Sequence, residues 1–188
     1  MLGLEQEAWL EDGLLGSRAR WNLIGQQVVM SNFAPVESLL NFDQWDGYPA
    51  ARQRFVDFVA DNGISNVLLL TGDIHIGGVM HIHRDPSDFS SKVVATELVT
   101  PSISSSAESL AETGAIAEYG LMFQDNVHFV HGVKRGYILV ELDREKASVH
   151  FQMAQTVFEP ESAVETEAVF SVLSDSLDVV EVSNSHSG

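Results

Sequence analysis

The run Val67-Leu68-Leu69-Leu70-Thr71-Gly72-Asp73-Ile74-His75 carries an apolar stretch onto a carboxylate and an imidazole. Four consecutive apolar residues before Thr71-Gly72 predict a central strand covered on both faces, and Gly72 lets the backbone turn where that strand meets solvent. In extended geometry, positions i and i+2 share a face. Asp73 and His75 could then present an oxygen and a nitrogen to one point, as a metal requires. The same letters also describe a strand-end turn with a solvated aspartate and a partly buried histidine that finds a hydrogen-bond partner. His81 and His83 repeat the spacing and mimic a second metal pair.

The elements that must position these residues alternate in type. Leu4 to Ser17 has the helical pattern of apolar residues with acids in its first turns. Trp21 to Met30 switches to β-type residues and is expected to be a strand, and Ser31 to Gly47 a loop. Pro49 opens a second helix whose apolar stripe runs through Phe55, Val56, Phe58 and Val59 and stops at the cap signal Asn62-Gly63. After the central strand come a short histidine-containing segment to His83, a strand at Lys92 to Val99 and a weak helix at Ala107 to Ile116. Three further strands are expected at Val127 to Val130, Gly136 to Leu142 and Ala147 to Thr156, the last two joined as a hairpin at Asp143-Arg144-Glu145-Lys146. From Glu159 onward seven acids, seven serines and no Lys or Arg predict a mostly disordered tail over 159–188.

At 188 residues and 45% hydrophobic content the chain has room for one domain plus that tail. A formal charge of -17, from 27 acidic and 10 basic residues, argues against binding a nucleic-acid backbone or an anionic membrane surface. An anionic substrate would need a bound multivalent cation to invert the local field, and acidic side chains are its natural ligands. The absence of cysteine excludes disulfides, thiolate zinc sites and a cysteine nucleophile. No stretch of 18 apolar residues is present, and Met1 to Glu7 lacks the pattern of a secretory signal, so no membrane association is expected and the compartment stays open.

Several motifs occur in one order: Leu2-Gly3-Leu4-Glu5-Gln6-Glu7-Ala8-Trp9-Leu10, Trp21 to Met30, Trp45-Asp46-Gly47-Tyr48-Pro49-Ala50-Ala51-Arg52, Leu70 to His75, Glu97 to Ser105, Asp125-Asn126-Val127-His128 and Arg135-Gly136-Tyr137. Together they resemble the alkaline phosphatase D (PhoD-like) family over roughly Leu2 to Val157. The resemblance implies an α/β, metallophosphoesterase-like two-sheet β-sandwich flanked by helices, with residues 1–158 as its C-terminal part. It also implies a metal-dependent phosphate mono- or diester hydrolase whose centre holds two or more ions, calcium and iron in this family. The family is usually exported.

Carried onto this sequence, the resemblance makes Asp73 and His75 metal ligands, with His75, Asp46 and Arg135 as candidate catalytic or substrate-contacting residues. Asp46 and Tyr48 are placed at the pocket mouth, with helix capping by Asp46 as the alternative. Arg52 is expected to pair with an acid, Asn126 and His128 to reach toward the pocket, and Arg135 to contact phosphate. The resemblance gives His81 and His83 no metal role, so both are expected as exposed strand residues. Family members carry further metal-ligand motifs upstream, so this chain is expected to represent the C-terminal half, inactive until the missing N-terminal half supplies the other ligands. Two other readings remain: a non-catalytic remnant or partner-binding module of the same fold, and a single-metal hydrolase using Asp73, His75 and one of His81, His83 or His128.

Overall fold

A computed structural model describes residues 1–32, 42–105, 121–122 and 124–184. Helix α1 (Leu4–Gly16) leads into strand β1 (Asn22–Gly25), and a 3-10 turn at Trp45–Gly47 precedes α2 (Pro49–Asp61). Then follow β2 (Val67–Thr71), β3 (Gly77–His83), β4 (Val93–Val99), β5 (Val127–His131), β6 (Gly136–Leu142), β7 (Lys146–Ala154), β8 (Val164–Leu173) and β9 (Val179–Asn184). The first five strands make one sheet in the order β1-β2-β4-β3-β5, and the last four make a second in sequence order. In the first sheet β1, β2 and β4 are parallel, while β3 runs antiparallel between β4 and β5. The second sheet is an antiparallel meander.

Strand β2 shows why its sequence is apolar throughout. Val67 and Leu69 pack with Leu14 of α1 and Phe55, Val56 and Val59 of α2, whereas Leu68 and the partly buried Leu70 face the second sheet. Each face therefore needs its own apolar residues, as in other parallel strands covered on both sides. Strand β7 instead alternates: Ala147, Val149, Phe151 and Met153 are buried, and the residues between them are less so. Those four meet Leu68, Val79, Leu98 and Phe129 of the first sheet in one continuous core. At its centre the ring of Phe129 lies 4.5 Å from that of Phe151 and 5.0 Å from that of Phe170, in tilted contacts that aromatic pairs favour. Gly77 lets the sheets close here, because a Cβ at that position would stand 3.2 Å from the Phe151 ring.

The expected disordered segment 159–188 needs correction, since β8 and β9 occupy most of it. Ala168, Phe170 and Val172 alternate inward and cover the Phe151 face, which outweighs the acidic composition. Glu167 finds a partner in Lys134, and other acids of the segment lie on exposed positions. The strand expected over Trp21 to Met30 shortens to β1, because the backbone of Met30 and Ser31 bonds a side chain of β4 instead of a neighbouring strand. Trp21 itself docks on the β6–β7 hairpin, donating its indole N–H to the Asp143 carbonyl at 2.6 Å. Helix α2 begins and ends as expected, with Pro49 in its first turn and Gly63 left-handed just beyond its end. Both described helices lie against the first sheet. The weak helix expected at Ala107 to Ile116 lies outside the described residues.

Truncating Phe151 to alanine removes the residue shared by both sheets. Phe151→Ala is expected to lower unfolding free energy by about 3–5 kcal/mol. Urea denaturation followed by circular dichroism measures it, and a loss below ~1 kcal/mol would show that the two sheets do not share this core.

Candidate metal and phosphate site at the end of β2

Where β2 ends, the chain departs from the extended geometry expected of Asp73 and His75. Both have left-handed backbones, with φ of 76° and 60°. The Ile74 N–H donates to the Gly72 carbonyl at 3.0 Å across Asp73, which makes a γ-turn of the rare, strained kind. Ile74 and Ile76 pack against Val29, Met80, Val99, Leu121 and Val130, so apolar anchoring alternates with the polar residues. Asp73 is exposed and His75 half-buried. Backbone strain of this kind costs of order 1–3 kcal/mol per residue and persists only where its surroundings hold it.

Those surroundings centre on Glu97 of β4, which is fully buried. Its Oε1 accepts the Thr71 hydroxyl at 2.7 Å, the Met30 N–H at 2.9 Å and the Gln26 amide at 3.2 Å, while Oε2 accepts the Ser31 N–H at 2.7 Å. Gln26 also donates to Thr71 Oγ1 at 2.9 Å and accepts the Trp45 indole N–H at 3.0 Å. Beside Trp45, the buried Gln44 donates its amide to Asp73 Oδ2 at 3.2 Å. A chain of polar contacts thus runs from the buried carboxylate to the exposed one. Neither Gln44 nor Glu97 was among the candidate residues; the available signal was an acid inside an otherwise apolar strand.

Arg52 pairs with an acid, as expected: its Nη1 lies 3.6 Å from Asp46 Oδ1, with both side chains nearly out of solvent. Burial pulls the Arg52 guanidinium below its ordinary pKa, and the charges of Asp46 and Glu97 oppose that pull. The side chain of Tyr48, the N-cap of α2, makes no capping hydrogen bond and is exposed. Arg135 is buried, and its guanidinium donates to the carbonyls of Ser105, Gly132, Val133 and Lys134 at 3.1–3.2 Å. These bonds tie the β5–β6 turn to the segment after β4. Asn126 and His128 lie at the start of β5, and the Asn126 carbonyl accepts the His81 N–H at 2.8 Å. That is four strand positions from Gly77, about 13 Å along β3 from the β2 turn.

The expected exposure of His81 and His83 is also corrected, because His81 is half-buried and His83 buried. The His81 ring meets the Leu177 carbonyl and His128, and the His83 ring meets Phe89 and the Ser91 carbonyl, contacts that strand periodicity alone does not report. Desolvation holds the imidazole of His81 below its usual range, and desolvation with the neighbouring His81 and His83 brings His128 down to about 4. Among the described residues no group of three or more His, Cys, Asp or Glu is arranged to hold a metal ion. No described helix is long and apolar enough to cross a membrane.

Two outcomes test this geometry. Glu97→Gln turns an amide N–H₂ toward the backbone N–H of Met30 or of Ser31, which can only donate, and is expected to cost about 3 kcal/mol in urea unfolding; a neutral result would remove Glu97 from its organising position. At His75 the left-handed backbone favours glycine, so His75→Gly should be more stable than His75→Ala by about 1 kcal/mol. Equal melting temperatures for the two variants would show that the turn is unstrained.

A family model for PhoD-like phosphatases matches residues 1–151. Alkaline phosphatase D of Bacillus subtilis (strain 168) is 33% identical over 187 residues, covering 98% of this chain and 32% of that protein. A solved structure of PhoD superposes with a TM-score of 0.83 at 31% identity, covering 97% of this chain and 35% of that one. The chain therefore spans about a third of the relatives it matches. With the family match extending through the β2 turn, the Glu97 network, the first sheet and the start of the second, this chain belongs to the PhoD-like phosphatase family.

Proposed function

We propose that this chain contributes part of the active site of a metal-dependent phosphoric ester hydrolase, with Asp73 and His75 as metal ligands. The observation that carries this reading is the β2 turn. A carboxylate and an imidazole stand there on two strained residues, and a buried network orients the carboxylate through Gln44. Oxygen and imidazole donors suit ions such as calcium and iron, but two side chains do not fill the sphere of either, so the donor set fits as a part. We assign the remaining ligands to the portion of the family's length that this chain does not span, the N-terminal half in the family order. The two sheets sharing one core support a metallophosphoesterase-type sandwich, in which metals sit on loops after the strands.

When bound, such cations neutralise phosphoryl oxygens and activate the attacking nucleophile. This chain's residues supply position. Gln44 engages one oxygen of Asp73 and leaves the other to face a ligand, and Ile74 and Ile76 keep the turn from relaxing. Asp46, almost out of solvent against Arg52, is proposed to brace the start of α2 at the pocket mouth. Arg135, engaged with four carbonyls, is proposed to order the loop beside the site in place of contacting phosphate. A phosphate mono- or diester meeting a chain of charge -17 needs cations to draw it in, which favours the same reading.

The test compares hydrolysis of nitrophenyl phosphate and bis-nitrophenyl phosphate, with calcium and iron present, by this chain alone and joined to the remaining family segment. Activity is expected in the joined form. Asp73→Ala should lower its kcat/KM by about a hundredfold or more, a few kcal/mol of charge stabilisation. An unchanged rate in that variant would refute the assignment of Asp73.

A further inference from the structure

The turn between β8 and β9 is held against the first sheet at more than one point. At one, Arg20 donates to the two oxygens of Asp175 at 3.0 and 2.8 Å and to Ser174 Oγ at 2.6 Å, and Asn66 Oδ1 accepts the Asp175 N–H at 2.6 Å. At another, two imidazoles in series reach the Leu177 carbonyl. His128 Nε2 stands 2.9 Å from His81 Nδ1, and His81 Nε2 stands 2.9 Å from the Leu177 oxygen. The Leu177 side chain is buried in the core it shares with Leu68, Val79 and Phe129, on a left-handed backbone with φ of 62°. That backbone is strained for any residue but glycine and persists only while its contacts hold it. The imidazole pair therefore helps to close the inter-sheet core at this end.

A bulge sets this contact up. Val79 pairs with Phe129 and Met80 with Val127, so His128 is the extra residue of β5 between them. Such bulges re-aim a side chain, and here the ring centroids of His128 and His81 come within 4.1 Å. The partners then fix the hydrogens. The Leu177 carbonyl only accepts, so His81 Nε2 carries a hydrogen, and in the neutral ring Nδ1 keeps the lone pair that accepts from His128 Nε2–H. One proton can join this series without breaking it, on Nδ1 of the exposed His128, whose Nε2 goes on donating. A second has only His81 Nδ1 to go to. Two N–H groups would then face each other across 2.9 Å, each on a charged ring.

We propose that the His81–His128 pair is an acid-released catch: neutral or singly protonated it holds Leu177, and the second proton parts the rings and frees the turn at that point, while the Arg20–Asp175 point stays closed. The titratable groups facing the pair are His83 of β3, with its centroid 6.0 Å from that of His81, and Asp178 of the turn itself. Asp88 of the β3–β4 loop acts on His83. On β4 the residues opposite His81 and His83 are Thr96 and Val93, which carry no charge. Burial holds both imidazoles of the pair low, and with His81 and His83 it brings His128 to about 4; at His81 the Leu177 carbonyl and Asp178 oppose the pull. Both closed-state values lie below the ordinary histidine value of about 6.5. The catch is therefore at full strength above about pH 6.5 and is lost as the pH falls toward 4. Across that window the parted rings bind at least one more proton than the closed pair, so the opening constant should rise about tenfold or more per pH unit.

Hydrogen exchange of the full chain, read amide by amide by NMR from about pH 7 to about pH 4.5, tests the catch. The Leu177 amide donates to the Leu173 carbonyl, and its protection factor should fall about tenfold or more per pH unit below about pH 6. The amides of Asp175, bonded to Asn66, and of Phe151, inside the second sheet, should keep theirs. In His81→Gln the side-chain amide donates to Leu177 and accepts from His128 without titrating, so the dependence should flatten to about threefold per pH unit or less. Protection at Leu177 that does not respond to pH, or that falls in step with Phe151, overturns the proposal. So does a dependence in His81→Gln steeper than about threefold per pH unit. Should that variant fail to fold, His128→Gln decides on the exposed side: its dependence must drop to about threefold per pH unit or less, and a steeper one overturns the catch.

Discussion

The buried carboxylate of Glu97 is the constraint to which the rest of the structure answers. An ionised group taken wholly out of water is tolerated only when its lone pairs are met. Its donors come from Gln26 and the Met30–Ser31 backbone just after β1 and from Thr71 at the end of β2, two segments far apart along the chain. Meeting them brings the exit of β1 and the end of β2 together over β4. Because Gln26 also accepts from Trp45, and Gln44 next to it donates to Asp73, the geometry of the exposed aspartate follows from that of the buried glutamate.

The two sheets solve a different problem. Helices α1 and α2 cover one face of the first sheet, leaving the face with Leu68, Val79, Leu98 and Phe129 to be buried by something else. The β6–β9 meander does this with every second residue. The rings of Phe129, Phe151 and Phe170 lock the layers, while Trp21 and Arg20 tie the start of β1 to the β6–β7 hairpin and the β8–β9 turn. A rigid scaffold of this kind lets the β2 turn hold two non-glycine residues at positive φ.

Electrostatics and site chemistry then point in one direction. A chain of charge -17 repels anions in bulk, and its exposed Asp73 adds to that field. Arg52 and Arg135 do not offset it at the surface, since both are buried. Arg52 faces Asp46, and Arg135 is spent on backbone carbonyls. Under the function proposed above, metals, more than basic side chains, would receive the phosphoryl group.

The sequence by itself determined the elements whose burial is local. The apolar run of β2, the turn at Gly72-Asp73, the Pro49 start and Asn62-Gly63 end of α2, and the β6–β7 hairpin were legible because periodicity and turn residues report their own backbone. So was the family, from motifs in order. Tertiary structure alone decided which polar groups meet. Met30 and Glu97 are 67 residues apart, Gln44 and Asp73 29, and His81 and His128 47. Composition misled at β8 and β9, where serines and acids mask an alternation that gains meaning only against the Phe151 face. The extended spacing invoked for Asp73 and His75 likewise gave way to a left-handed turn, held by contacts with Gln44, Ile74 and Ile76. Local sequence states what a segment can bury, and the partner that satisfies a buried charge or a strained turn comes from elsewhere in the chain.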